Sequence, residues 1–124
     1  MEHQAITLNV LGYQEGDEWV ALALEMDIRG YGETFDQAFD DLADLVGIQI
    51  SFSRFKKKPD LIWKAAEPIW FERFAAVRRD YLEALVRDES EVAEPEYSIA
   101  GMPIPPAHVI DSLQRGFVLA QSEA

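Results

Sequence analysis

The first third of the chain alternates between apolar and polar residues, as half-buried β-strands do. Between the first two alternating runs, Gly16 and Asp17 form a pair typical of a hairpin loop. The pattern therefore predicts three strands, and the first two form a hairpin. The three alternating runs cover residues 5–13, 19–24 and 28–31.

Before Thr34 every second residue is apolar, whereas after Thr34 the apolar residues recur every three or four positions. This change predicts an amphipathic helix. Thr34 stands three residues before Gln37, the arrangement of a capping box at a helix start. The lysines at 56–58 and Pro59 are expected to end the helix. The positions that share this side of the helix are Phe35, Ala38, Phe39, Leu42, Leu45, Val46, Gln49 and Phe52.

These elements predict an α+β fold in which a small antiparallel three-stranded sheet carries one packed helix. The order is β-β-β-α, and the module covers residues 1–58. One helix over three strands leaves the sheet edges unpaired, and an unpaired edge invites pairing with another chain. An assembly of several chains is therefore expected.

The remaining residues, 59–124, are predicted to form a helical extension. Pro68 interrupts an otherwise helical pattern, so we expect a short helix before it and a longer helix that starts there. The longer helix carries a wide apolar stripe, and such a stripe requires a partner, which a second copy of the chain could supply. The expected oligomer interface consists of Trp70, Phe74, Val77 and Tyr81.

The end of the extension has a different composition. Residues 88–97 are acidic and contain Pro95, which is typical of a linker. Residues 98–106 are predicted to be extended, and a short C-terminal helix is predicted to begin at Pro106.

The formal charge of −12, from 23 acidic and 11 basic residues, changes the range of expected partners. Such a chain repels phosphate backbones and attracts basic partners over long range.

Cysteine is absent, which excludes disulfides and thiol chemistry and suits a reducing cytoplasm. No apolar run approaches the roughly 18 residues that span a bilayer, so a soluble cytoplasmic protein is expected.

The segment from Leu24 to Thr34 resembles a motif of the HicB-like family. There a Leu-Glu-Leu-Asp-Ile segment, a few variable residues and Gly-Asp-Thr precede an acidic amphipathic helix. In this chain the motif reads Leu24-Glu25-Met26-Asp27-Ile28, then Arg29-Gly30-Tyr31, then Gly32-Glu33-Thr34. The resemblance covers roughly residues 5–50.

The resemblance implies the antitoxin half of a toxin–antitoxin pair, with a core likened to a truncated RNase H fold. Its implied partner is a small basic ribonuclease of the HicA type, and it implies assembly as a dimer or tetramer. The C-terminal half lacks the compact basic recognition helix of a DNA-binding module, which puts DNA binding in doubt. The expected partner-binding residues are Glu25, Asp27, Arg29 and Tyr31.

Two other functions remain open. Asp36, Asp40 and Asp44 lie four residues apart on one helix face, where carboxylates could take Mg²⁺ or Mn²⁺ in a metal-dependent nuclease. A solvated helix face explains the same spacing more simply, so no catalytic, metal or cofactor residue is assigned and no enzyme is predicted. A self-assembling HicB relative without a toxin is the other alternative.

Overall fold

The computed structural model describes residues 6–87 and 96–104, which form an α+β fold, and this confirms the predicted class. The sheet is antiparallel with the order β3-β2-β1-β4. Its strands are β1 (Ile6–Glu15), β2 (Glu18–Ala23), β3 (Ile28–Gly32) and β4 (Tyr97–Ile104). The helices are α1 (Phe35–Lys56), a single 3₁₀ turn (Pro59–Leu61) and α2 (Pro68–Val86).

The prediction of three strands was wrong, because β4 joins the sheet from the C-terminal part of the chain. β4 pairs along β1, from Tyr13 opposite Tyr97 to Ile6 opposite Ile104. The edge of β1 that was expected to be open is therefore covered by the chain's own backbone. Residues 98–106 were predicted to be extended, but their pairing partner lies far away in sequence, and Gly101 and Pro103 weaken the local strand signal.

Helix α1 begins at the predicted cap and lies on one side of the sheet, which we call the α1 face. The Gln37 backbone N–H donates to the Thr34 hydroxyl over 3.2 Å, as the capping box predicts. Gly30 permits close contact, because a Cβ there would lie 2.3 Å from the Leu42 backbone nitrogen. The side chains buried from α1 are Ala38, Leu42, Val46, Ile50 and Ser53.

The predicted apolar stripe of α1 is wrong at its C-terminal end. Phe52 was expected to face the sheet, but it is 48% exposed. Ile50 and Ser53 point inward instead. From Leu42 onward the buried positions are spaced by four, four and three residues, which keeps them on one side of a helix with 3.6 residues per turn. The outward-facing end of α1 consequently carries large apolar side chains.

The opposite side of the sheet, which we call the α2 face, is covered by the C-terminal extension. Leu11, Leu22 and Leu24 are fully buried there beneath Trp70 and Phe74. Helix α2 starts at Pro68, as predicted. The sheet is thus packed on both faces within one chain.

The short helix expected before Pro68 is reduced to the 3₁₀ turn. The following residues run beside the end of β2, where Lys64 N–H donates to the Glu25 carbonyl at 3.2 Å and Ala66 N–H donates to the Leu24 carbonyl at 2.8 Å. These backbone hydrogen bonds use amide groups that a helix would need, and they fix the path of the chain from the 3₁₀ turn to the start of α2.

Two parts of the predicted extension lie outside the described residues. They are most of the acidic linker and the short helix from Pro106. Tyr97, which was assigned to the end of the linker, belongs to β4. Within residues 6–87 and 96–104, neither helix combines the length and apolar character needed to cross a membrane.

Candidate functional site

The turn between β2 and β3 contains two of the expected partner-binding residues, Glu25 and Asp27. The Glu25 carboxylate accepts two bonds from Asn9, one from the backbone N–H and one from the side-chain amide, each over 2.9 Å. Asp27 adopts a positive φ of 52°, a conformation that aspartate tolerates better than most residues. The Glu25 carboxylate therefore ties the turn to β1, and Asp27 supplies the left-handed backbone conformation of the turn.

Arg29 lies between the turn and helix α2. Its Nη1 donates to Asp27 Oδ1 at 3.1 Å, and its Nε donates to the Tyr13 hydroxyl at 3.2 Å. The guanidinium also lies over the Trp70 ring, 5.7 Å from its centroid. Partial burial alone would lower the pKa of Arg29, but its hydrogen bonds to Tyr13 and Asp27 and the charge of the Asp27 carboxylate outweigh burial and leave the pKa raised. Arg29 therefore carries its charge throughout the physiological pH range.

Aromatic and arginine side chains continue this contact along the α2 face. Tyr13 stacks on Trp70 with ring centroids 4.8 Å apart. Next to them, Arg73 donates to the Tyr97 hydroxyl and lies over the Tyr97 ring, 5.0 Å from its centroid. These contacts join α2 to the sheet at β1 and β4, beside an open groove of about 360 Å³.

Tyr31, the fourth expected partner-binding residue, lies on β3, which has no neighbouring strand on its outer side within residues 6–87 and 96–104. Its backbone N–H donates to the Asp41 carboxylate of α1 over 2.9 Å. Helix α1 thereby occupies a donor that an added strand would need, which makes strand addition at this edge less favourable. The Tyr31 side chain remains 47% exposed.

Three exposed carboxylates lie on the loop and helix that follow β3. Glu33 follows it at the start of the loop to α1, and Asp36 lies in the first turn of the helix. Together with Asp41 they are exposed on the surface. We call this surface the acidic edge and define it by Tyr31, Glu33, Asp36 and Asp41.

The structure thus separates the four expected partner-binding residues into two kinds. Glu25, Asp27 and Arg29 are partly buried and bonded within the chain, whereas the ring of Tyr31 faces solvent. Asn9, Tyr13 and Asp41, which hold these residues in place, were not predicted from the sequence. Asn9 and Tyr13 could be placed on β1 from its alternation, but their partners depend on how the strands pair.

The expected oligomer-interface residues have partners within the chain. Trp70, Phe74 and Val77 pack against the buried leucines of the α2 face. The Tyr81 hydroxyl donates to the Tyr97 carbonyl over 2.9 Å. Their role in contacts between subunits stays a prediction, and these intrachain contacts leave less of the stripe available for it.

Replacing Trp70 with alanine should loosen α2 without unfolding the rest of the chain, because Trp70 contacts both Tyr13 and Arg29. We expect trypsin to cleave α2 at least about tenfold faster in the variant, while β1 to α1 stay protected. Phe71→Ala is the matched control, since Phe71 is the adjacent residue and is 36% exposed. Unchanged cleavage of Trp70→Ala, accompanied by loss of an oligomer, would instead assign the stripe to a subunit interface.

The aspartates considered for metal binding stay on the outer surface of α1. In residues 6–87 and 96–104, no three carboxylate or histidine side chains come together in a way that could hold a metal ion. Asp36, Asp40 and Asp44 are all exposed, which is typical of a solvated helix face. His3 and His108 lie outside the described residues.

Comparison with protein-family models, with curated proteins and with solved structures finds no match to this chain.

Proposed function

We propose that this protein is a non-enzymatic binding protein of the HicB-like type. It binds and masks a basic protein such as a HicA-like ribonuclease in the cytoplasm, and it assembles with itself as a dimer or tetramer. The acidic edge is the proposed contact surface for the basic protein.

The observation that carries this proposal is the exposed Tyr31 ring on an edge strand whose backbone amide is bonded by the Asp41 carboxylate. Tyrosine is among the residues that dominate binding energy at interfaces, because its ring buries a large apolar area and its hydroxyl can still form a hydrogen bond. The neighbouring Glu33, Asp36 and Asp41 supply acceptors for lysine or arginine side chains. An exposed aromatic side chain on an edge strand that is followed by exposed carboxylates fits a cationic protein surface.

The contacts of Glu25, Asp27 and Arg29 support the same proposal. They hold the turn that precedes β3, so Tyr31 is presented on a rigid strand. A rigid surface loses little conformational entropy when a partner binds. The partly exposed carboxylates of Glu25 and Asp27 extend the acidic surface beyond the acidic edge.

The net charge of −12 supports fast association with a cation-rich partner. Electrostatic attraction raises the association rate and is screened by salt, whereas buried contacts at Tyr31 set the lifetime of the complex. The association rate constant should therefore fall with ionic strength, and the dissociation rate constant should change much less.

The direct test is to look beside this protein's gene for a reading frame that encodes a small basic ribonuclease, and to reconstitute the two proteins. The two purified proteins should form a stable complex on size-exclusion chromatography, and added protein should suppress RNA cleavage in proportion to its concentration. The absence of a neighbouring basic ribonuclease, or a mixture that stays separate and fully active, would refute the proposal.

Tyr31→Ala should weaken this complex at least about tenfold, which corresponds to the loss of one central aromatic contact. Calorimetric titration measures the Kd, and the thermal midpoint checks that the variant remains folded. Trp63→Ala is the control, because Trp63 is 48% exposed and is thus as accessible as Tyr31. Equal loss of affinity in both variants, or none in Tyr31→Ala, would remove the acidic edge from the proposed interface.

A further inference from the structure

The C-terminal end of α1 carries an exposed basic and aromatic surface on a chain whose net charge is −12. Three consecutive lysines end the helix, Lys56, Lys57 and Lys58, and all three are exposed. On the last turns before them, Phe52 is 48% exposed and Phe55 is 81% exposed. We call the surface formed by these five residues the basic end of α1.

Lys56 joins the two rings of the basic end. Its ammonium lies 5.8 Å from the centroid of the Phe52 ring and 5.9 Å from that of the Phe55 ring. The two phenylalanines are three residues apart on one side of the helix, where neighbouring Cβ atoms are about 5–6 Å apart. Two aromatic rings and a cation are therefore held together at the surface.

The helix dipole explains the lysines of the basic end but not its rings. Cations near a helix C-terminus complement the partial negative charge of the last carbonyls, and Lys57 itself caps the helix with a φ of 56°. These effects stabilise α1 without any ligand. Packing within the described chain leaves Phe52 and Phe55 uncovered, since the sheet is contacted by Ile50 and Ser53 at this end of the helix. Large exposed rings beside cations indicate a contact surface.

The carboxylates of α1 lie towards its other end. Asp44 is the nearest of them in sequence, and a rise of 1.5 Å per residue places it about 18 Å along the helix from Lys56. Exposed charges that are farther apart than about 8 Å are largely screened at physiological ionic strength. Between Asp44 and Glu67 the sequence contains one acidic residue, Asp60, and five basic ones. The overall negative charge therefore does not describe this part of the chain.

A single nucleic-acid strand matches the basic end better than a duplex or a lipid surface does. Proteins hold single strands by stacking bases on aromatic rings and by pairing phosphates with cations, and both kinds of group are present here. A duplex or a bilayer is broad, so along the exposed side of α1 it would also meet the carboxylates of Asp41 and Asp44. Insertion of the two rings into hydrocarbon would in addition draw the Lys56 ammonium out of water.

From these features we infer that the basic end of α1 binds single-stranded RNA, the nucleic acid that ordinarily presents unpaired bases. Bases stack on the rings of Phe52 and Phe55, and the three lysines pair with phosphates. Such contacts tolerate any base sequence, because every base has a face that can stack. This inference goes beyond the proposed function and does not depend on it, since the acidic edge lies near the opposite end of α1.

Fluorescence anisotropy of the full chain with a labelled oligouridylate of about 15 nucleotides tests the inference at about 50 mM salt. Binding should be reversible, and the logarithm of the association constant should fall with the logarithm of salt concentration with a slope of about −2, as three neutralised phosphates require. Phe55→Ala should weaken binding at least about fivefold, because one stacked base is lost. Tyr31→Ala is the matched control, since it truncates an aromatic side chain that is 47% exposed outside the basic end.

Charge removal provides a second test. The double variant Lys56→Gln/Lys58→Gln should weaken binding and reduce the slope to about −0.7, whereas Arg78→Gln/Arg79→Gln removes the same charge from exposed positions of α2 and should change binding much less. A wild type that does not bind the oligonucleotide, or equal losses in the two double variants, would overturn the inference. Binding to polyglutamate or to anionic lipid vesicles in place of RNA would also overturn it. Phe55→Ala should leave binding of the basic ribonuclease unchanged, so the two proposals are tested separately.

Discussion

Replacing Gly30 with alanine should destabilise the fold by at least about 3 kcal/mol. The added Cβ would lie 2.3 Å from the Leu42 backbone nitrogen and 2.5 Å from the Ala38 carbonyl oxygen. Both contacts are with the backbone of α1, so no side-chain rotation relieves them. Helix α1 would have to move away from β3, which would also separate Asp41 from the Tyr31 amide.

Urea denaturation followed by circular dichroism measures this loss. Gly47→Ala is the matched control, because it makes the same change in open space on the same helix. On dilute protein the control should be more stable by about 0.5–1 kcal/mol, since alanine favours a helix. Similar effects of the two substitutions would show that α1 does not lie against β3 as described.

The Leu42→Ala substitution should have the second large effect, a loss of about 3–5 kcal/mol. Leu42 is fully buried at the centre of α1, where it packs with Val10 and Ala23 of the sheet. Truncation removes apolar area from the core and leaves a cavity that the rigid strands cannot fill.

Phe55→Ala is the control for Leu42→Ala. It removes a larger apolar side chain, but one that is 81% exposed, and should change the free energy of unfolding by less than about 0.5 kcal/mol at low protein concentration. Denaturant midpoints for the two variants at equal protein concentration give the comparison. A greater loss in Phe55→Ala would mean that the buried side of α1 has been misassigned.

The parts of the fold that the sequence predicted depend on short-range patterns. The Thr34 cap, the start of α2 at Pro68 and the end of α1 at its basic run are all encoded within a few residues. The hairpin of β1 and β2 likewise depends on alternation and on the turn at Gly16, which has a positive φ of 64°. These features lie where the predictions placed them, because local backbone preferences determine them.

The features that the sequence did not predict depend on distant pairing. β4 adds to β1 across more than 80 residues, and no local pattern selects β1 as its partner. The same limitation applies to the candidate site. Arg29 could be assigned to β3, but its contacts with Tyr13 and Trp70 arise only when α2 folds back over the sheet. For this reason Trp70 was predicted to contact another chain.

The covered β1 edge changes the physical basis of the proposed assembly. Open strand edges predicted an assembly, but β4 pairs with β1, and Asp41 of α1 binds the Tyr31 amide at the β3 edge. In the proposed function, self-association therefore has to use side-chain surfaces rather than an open edge of β1. The proposed contact with a basic partner uses the exposed ring of Tyr31 together with Glu33, Asp36 and Asp41.

Hydrogen–deuterium exchange of the chain, with and without the basic ribonuclease, tests the central claim most directly. Our account predicts that binding slows exchange in β3 and in the first turns of α1, from Arg29 to Asp41, and leaves α2 unchanged. Exchange that is unaffected by the ribonuclease, or slowed only in α2, would contradict the claim that the acidic edge binds a basic partner.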